Sequence, residues 1–183
     1  MKTASSGLAF FSLANYARRV LWAVMHPLFR YSPRHLYAWR NLLLRLMGAQ
    51  VGTGVKIYPS ARCTDPWNLR IGPATVIGWD VTLYALGQIH IGTGCVISQG
   101  AHLCAGNHDV NVPGFPLLKE PIAIGNDCWV AAEAFIGPGV TVADRVVVAA
   151  RAVVTKDCGP GVVVAGNPGR VVKVRGEAVD END

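Results

Sequence analysis

Residues Ile124 to Val154 read IGNDCW VAAEAF IGPGVT VADRVV VAARAV V. An aliphatic residue returns every six positions, at Ile124, Val130, Ile136, Val142, Val148 and Val154. The place after each holds Gly125, Ala131, Gly137, Ala143, Ala149 or Thr155. An α-helix turns about 100° per residue, so positions six apart fall about 120° out of line and form no apolar stripe. A single long strand would alternate over a longer run and would carry larger residues in the Gly and Ala slots. The remaining solution is a coil of very short strands with tight corners. One aliphatic side chain per hexad points into the axis, and small residues sit where the backbone bends. Three hexads then close a triangular turn, and successive turns stack as parallel strands about 4.8 Å apart.

The same phase extends upstream. Val51, Ile57 and Cys63 head one triplet, Ile71, Ile77 and Leu83 the next, and Ile91, Ile97 and Leu103 a third. The pairs Leu69-Arg70 and Ile89-His90 are insertions small enough for a corner. The interruption at 109–121 is too long for a coil and must loop out, and a long loop on a rigid solenoid is a usual carrier of function. The expected organisation is mainly β: a helical N-terminal segment over 1–50, a β-helix over 51–161 with the 109–121 loop inserted, and a strand, arm and acidic tail over 162–183.

Just over half of the 183 residues are hydrophobic and 16% are charged, which suits a repeat that fills an axial core. The formal charge of +5 is uneven: through Arg45 there are seven Lys or Arg residues and no Asp or Glu. Such a segment suits a membrane surface or an anionic ligand. Nucleic acid is not expected, because neither a binding motif nor the aromatic spacing of an RNA-binding sheet is present. Cys63, Cys95, Cys104, Cys128 and Cys158 all fall in small or apolar hexad slots and form no Cys-x-x-Cys pair. They read as buried filler, and an odd count without a secretory framework favours a reducing, cytoplasmic compartment.

Leu8 to Phe29 has helical periodicity. Phe10, Leu13, Ala14, Ala17, Val20, Leu21, Val24, Met25 and Leu28 share one apolar stripe, with Asn15, Arg19 and His26 opposite. Arg18, Arg19 and His26 interrupt it too early for a membrane span, and the flanks are wrong for a signal peptide. Two roles fit: the stripe packs on the solenoid or a sister subunit, or residues 8–29 lie flat on the inner face of the membrane. Ser32-Pro33 reads as the N-cap and first turn of a second helix that ends at Gly48 and caps the coil. The turn cluster Asp157 to Gly161 reads as the end of the coil.

His108 closes the hexad that leads into the loop, beside small residues that let a substrate approach. That position makes it the candidate catalytic residue. A zinc site of His90, His102 and His108 is the rival account; by hexad counting His102 lies on a different corner from the other two, so one chain would not bring them together.

The runs LCAGNHDVNVPGFPLLKEPIAIGNDCWVAAEAFIGPGVTV, VTKD and AGNPGRVVK resemble the hexapeptide-repeat, left-handed parallel β-helix acyltransferases, in their sugar O-acetyltransferase branch. RRVLWAVMHPLFRYSP, WRNLLLRLMGAQVG and DPWNLRIG are similar to the colanic-acid biosynthesis acetyltransferases, with maltose and galactoside acetyltransferases as more distant relatives. The resemblance implies a homotrimer with sites between adjacent solenoids, acetyl-CoA as co-substrate and no metal. His108 matches the family's catalytic histidine, a general base for a sugar hydroxyl. Ala132 matches the backbone N–H that faces the thioester oxygen. Trp129, Ala150, Thr155, Lys156 and Arg170 match positions along the CoA path.

The acceptor-contacting asparagine of the galactoside and maltose enzymes falls on Gly78, so their sugar contacts do not carry over. Asp80 and Asn107 are the candidate acceptor contacts here, and Asp109 is the candidate partner that orients His108. The expected function is O-acetylation of a sugar, nucleotide-sugar or lipid-linked sugar in surface-polysaccharide biosynthesis. The competing readings are another small acceptor such as an antibiotic or amino sugar, a zinc carbonic-anhydrase-like protein, and a non-catalytic scaffold.

Overall fold

A computed structural model of the chain describes residues 13–176. The expected loose start at 1–7, the first residues of the N-terminal helix and the acidic tail lie outside the described residues.

The hexads form three parallel sheets that enclose a triangular core. Sheet I stacks Gln50–Val51, Leu69–Ile71, Ile89–Ile91, Ile122–Ile124 and Thr141–Val142. Sheet II begins with Lys56–Ile57, Val76–Ile77, Val96–Ile97, Trp129–Val130 and Val147–Val148. Sheet III stacks Arg62–Cys63, Thr82–Tyr84, His102–Cys104, Phe135–Ile136 and Val153–Val154. The registers join hexad heads to hexad heads: Ile71 with Ile91, Ile97 with Val130, Leu103 with Ile136. Every head is buried except Cys63, which is half-buried.

Each hexad buries two side chains, where the sequence pattern led us to expect one. The fourth residue turns the corner in left-handed backbone, as at Gly94, Gly100, Asp127 and Glu133. The fifth therefore faces inward too, and Val81, Cys95, Ala101, Cys128, Ala134 and Val146 fill those places. Three of the cysteines are thus core residues at a slot that takes only small side chains. The pairs Leu69-Arg70 and Ile89-His90 do not bulge at a corner; they lengthen the sheet I strands to three residues. Nor does the coil stop at Gly161, because Val162–Ala165 adds another parallel strand to sheet II, and Arg170–Val174 folds back antiparallel upon it.

Coils stack closely enough that some corners exclude any side chain. A Cβ on Gly125 would lie 2.7 Å from the Asp144 nitrogen, and one on Gly92 would lie 2.5 Å from the Gly125 oxygen. Short polar side chains tie these corners together: Asn126 accepts from the Thr93 N–H at 2.9 Å, and Asp144 accepts from the Asn126 N–H at 2.6 Å.

Two helices close the first coil. α2 spans Tyr37–Leu46, points Leu43, Leu44 and Met47 at the core, and ends at Gly48 with φ +96°. It starts later than the Ser32-Pro33 signal suggests, because the buried Arg40 holds the preceding segment out of the helix. Its guanidinium donates to the carbonyls of Ile57, Pro33 and Arg34 and to the Ser32 hydroxyl.

α1 spans Leu13–Arg30 with Pro27 inside it, and it docks on its polar side. Arg19 forms a two-pronged ion pair with the buried Asp65 (2.9 and 2.7 Å), and the Trp22 indole donates to the Cys63 carbonyl at 2.9 Å. Trp22 and Phe29 are its buried residues. Leu13, Val20, Leu21, Val24 and Leu28 face outward, so this stripe does not pack on the solenoid of its own chain.

Corner packing makes a direct prediction. Gly125→Ala lowers stability by about 1–3 kcal/mol, since backbone must move to admit the methyl. Gly159→Ala, with nothing within 4 Å of its Cβ, leaves it unchanged or slightly raised. Urea unfolding of both variants beside the parent measures the contrast.

Candidate active site

The inserted loop leaves at the corner between sheets III and I and is a hairpin. Asn107–His108 pairs antiparallel with Leu117–Leu118. Its base is fixed by Gly87 N–H to the Ala105 carbonyl (2.8 Å) and Ile122 N–H to the Gln88 carbonyl (2.9 Å). His108 thus lies on the arm of the excursion, which begins before residue 109.

The imidazole is exposed, and its Nδ1 lies 2.5 Å from the Phe115 carbonyl oxygen. A carbonyl only accepts, so Nδ1 is the donor, and in the neutral ring the lone pair is then on Nε2. That tautomer suits a general base. Phe115 is placed for this by left-handed backbone, φ +46°, which is rare and costly for an aromatic residue. The Asp109 carboxylate accepts from the Asn111 N–H at 3.0 Å and shapes the turn, so the contact that orients the ring comes from Phe115. Asn107 accepts from the His108 N–H (2.8 Å) and donates to Glu120 (3.3 Å), bracing the hairpin.

A groove of about 370 Å³ runs along sheet II and its corner with sheet III, lined by Ser98, Gln99, Trp129, Ala131, Ala132, Val147, Ala149 and Ala150. The Trp129 indole, about half exposed, is held by a 2.9 Å hydrogen bond to the Ser98 hydroxyl. The Ala132 carbonyl accepts from the Arg151 N–H, while among the described residues the Ala132 N–H makes no hydrogen bond. Small side chains leave that donor accessible. Arg170 follows on the same corner, opposite Ala165, and Asp80 stands there two coils before Ala132. Ser98 and Gln99 were not singled out from the sequence, because nothing in a hexad marks which corner faces a groove.

Thr155 and Lys156 lie on the other corner, between sheets III and I, as the His108 hairpin does. One chain therefore gathers Trp129, Ala132 and Ala150 on one edge, and carries His108 and Lys156 on another. The outward rows of the three sheets differ in character. Sheet II shows Lys56, Val76, Val96, Trp129, Val147 and Val163, sheet III shows Arg62, Thr82, His102, Phe135 and Val153, and sheet I shows Gln50, Arg70, His90, Ala123 and Thr141. Beyond Lys56 the sheet II row is apolar, the sheet III row is apolar only at Phe135 and Val153, and the sheet I row is mostly polar.

The other polar groups are scattered. His90 and His102 sit within strands of sheets I and III rather than at corners, so one chain does not converge three imidazoles. His102 is wedged edge-on between Tyr84 and Phe135, and burial holds its pKa below the ordinary 6.5. Burial pushes the Cys63 and Cys158 thiols up, away from the thiolate form. Cys95 and Cys128 donate inside the core to the carbonyls of Gly125 and Ala143, each at 3.0 Å.

With hairpin, groove and repeat in view, comparison with known proteins decides the family. Residues 121–156 match the family model described as bacterial transferase hexapeptide (six repeats). The chain is 47% identical over 156 residues to WcaF of Escherichia coli (strain K12), named for acetyl transfer in colanic acid biosynthesis; the match covers 85% of this chain and 86% of that one. The chain belongs to the hexapeptide-repeat acetyltransferases. It is also 31% identical to galactoside O-acetyltransferase of Escherichia coli (strain K12), over 73% of this chain and 68% of the relative. Among solved structures, a Vibrio cholerae O1 biovar eltor hexapeptide-repeat acetyltransferase complexed with acetyl-coenzyme A superposes with a TM-score of 0.82 at 25% identity, over 91% of each chain.

The lowered pKa of His102 has a consequence for stability. The folded state resists protonation that the unfolded chain accepts near pH 6.5, so stability is full above that value and falls as pH drops below it. His26 is shifted the same way by burial and by Arg30. Thermal unfolding from pH 7.5 to 5.5 shows a decline in the parent that His102→Asn makes shallower.

Proposed function

We propose that the chain transfers acetyl from acetyl-CoA to a hydroxyl of a sugar, in free, nucleotide-linked or lipid-linked form, during the making of a surface polysaccharide. The bond from His108 Nδ1 to the Phe115 carbonyl carries this reading, because it orients the ring and, in the neutral imidazole, puts the lone pair on Nε2. The pantetheine arm lies along the groove beside Trp129, and the acetyl carbonyl points at the open N–H of Ala132. His108 Nε2 takes the hydroxyl proton as the oxygen attacks the thioester carbon. The tetrahedral oxyanion accepts the Ala132 N–H, a stabilisation of about 3 kcal/mol in comparable sites. Collapse breaks the C–S bond, and the departing thiolate receives the proton held on Nε2. No covalent enzyme intermediate is required, which agrees with the core positions of Cys95, Cys128 and Cys158. Ala150 and Arg170 continue the donor path on the groove edge, and Thr155 and Lys156 meet it from the adjacent subunit.

The separation of groove and hairpin on two corners supports a homotrimer in which each site takes the groove of one subunit and His108 of the next. The apolar part of the outward rows, Val76 to Val163 on sheet II with Phe135 and Val153 on sheet III, supplies the contact surface. Acetyl-CoA turnover, read by thiol release with a panel of sugar acceptors, falls at least about 100-fold in His108→Ala. Co-expressing His108→Ala with Trp129→Ala restores turnover in mixed trimers, since one site then receives an intact residue from each chain. Acceptor-independent turnover, or no recovery in the mixture, overturns the reading.

The outward stripe of α1 supports a further element: contact with the anionic inner face of a membrane. The first acidic residue is Asp65, which is spent on Arg19, so the stripe lies in a segment without free negative charge. No helix among the described residues is long and apolar enough to cross a membrane. A surface-lying amphipathic helix needs only the apolar face and basic surroundings present here. Wild-type protein floats with vesicles containing phosphatidylglycerol, less so with purely zwitterionic ones. Val24→Glu abolishes flotation and leaves turnover intact. A soluble wild type, or a changed oligomer mass in Val24→Glu, assigns the stripe to a subunit contact instead.

A further inference from the structure

The corner that carries the acyl groove continues over the first two coils, where it holds a cluster the reaction above does not use. Trp79 is 42% exposed there and packs its ring 4.7 Å, centroid to centroid, from Tyr58. The Arg34 guanidinium stands 5.1 Å over the Tyr58 ring and 5.4 Å over Trp79, and it donates to the Tyr58 hydroxyl at 2.9 Å. An exposed arginine is thereby held in one place. Its backbone is fixed as well, because the Arg34 and Pro33 carbonyls accept from the buried Arg40. Lys56 is exposed on the same strand face as Tyr58. The Arg34 hydrogen bond is the main cause that lowers the Tyr58 phenol pKa, and the Lys56 charge adds to it.

Asp80 is the only carboxylate on this corner in those two coils. Its backbone N–H donates to the Ser60 hydroxyl at 2.9 Å, its φ is +53°, and its carboxylate makes no hydrogen bond among the described residues. Coils stack about 4.8 Å apart, so Asp80 lies about 10 Å from Ala132 along the corner and Tyr58 about 14 Å. A hexose ring with one hydroxyl at the thioester spans the Gln99 coil and brings its other hydroxyls to Asp80. The substituent on its anomeric carbon then falls beside Arg34 and Lys56.

We propose that Arg34, Lys56, Tyr58, Trp79 and Asp80 form a subsite for an acceptor sugar carried on a diphosphate. Trp79 offers an apolar face to the ring, Asp80 accepts from sugar hydroxyls, and Arg34 with Lys56 binds the diphosphate oxygens. Two cations facing a single carboxylate suit a doubly charged group better than a neutral free sugar. Arg34 spends a donor on Tyr58 and retains others for phosphate. This proposal rests on the acetyltransferase reading for the order of groups along the corner, and it adds the chemical class of the acceptor.

The test separates binding from turnover. Inorganic pyrophosphate, UDP-glucose and free glucose are titrated calorimetrically into the full-length protein without acetyl-CoA. Turnover is then measured with UDP-sugars and with sugars on a short prenyl diphosphate. Wild type binds pyrophosphate and UDP-glucose and not glucose. Arg34→Gln and, independently, Lys56→Gln weaken that binding and raise the acceptor KM about 10- to 100-fold with kcat little changed, and Arg34→Lys recovers part of the loss. CoA affinity, unchanged in every variant, excludes general misfolding. A stronger preference for the UDP-sugar or for the prenyl-linked sugar names the carrier, and either upholds the subsite. Equal use of free sugars, or diphosphate binding indifferent to both substitutions, overturns it. Diphosphate binding that depends on Arg34 without acetyl transfer to any acceptor upholds the subsite and sinks the acetyltransferase reading.

Discussion

The structure depends on a packing constraint at its axis: three flat sides must meet around a core only two side chains deep per hexad. In most hexads the head is branched and aliphatic, the fifth place is small, and the fourth turns the backbone through the left-handed region. Any larger group at the fifth place, or a Cβ at Gly92 or Gly125, would force adjacent coils apart. Parallel strands of two or three residues have little cooperativity of their own. Stacking of like on like, coil after coil, makes them stable, as in other solenoids whose repeats contact only their neighbours.

Rigidity along the axis is what the chemistry uses. A corner repeated every coil lines up a row of backbone N–H groups, and small residues at Ala132 and Ala150 keep that row open to a long thin substrate. His108 is not placed by the repeat itself, whose outward positions are fixed to flat faces. It stands instead on a hairpin that leaves at another corner. Groove and imidazole therefore stand apart within one chain, on two different edges of the coil.

The N-terminal helix illustrates how polar and apolar surfaces can exchange their usual roles. Its anchor is an ion pair to a buried aspartate, an indole hydrogen bond and two aromatic side chains, while its aliphatic stripe is left outside. Amphipathicity measures only that two faces differ; it does not say which one meets the solenoid. Asp65 decides it, because a buried carboxylate needs a cation and Arg19 is the one within reach. The same logic governs the start of α2, where Arg40 draws the carbonyls of its own N-terminal turn into the interior.

Period six alone determined the class of fold and the phase of the hexads and placed the long break a little after its true start at Asn107, since side-chain volume at stacked positions is written residue by residue. The place of His108 beside the long break in the repeat was legible for a related reason, and the runs around it carry the family resemblance. The second inward residue per hexad, the outward stripe of α1 and the Phe115 carbonyl on His108 were not legible. Each depends on backbone direction or on a partner far along the chain. The tertiary structure alone decided that groove and histidine stand on different edges, because a corner is a property of three sides closing, and no single hexad records which corner it will turn.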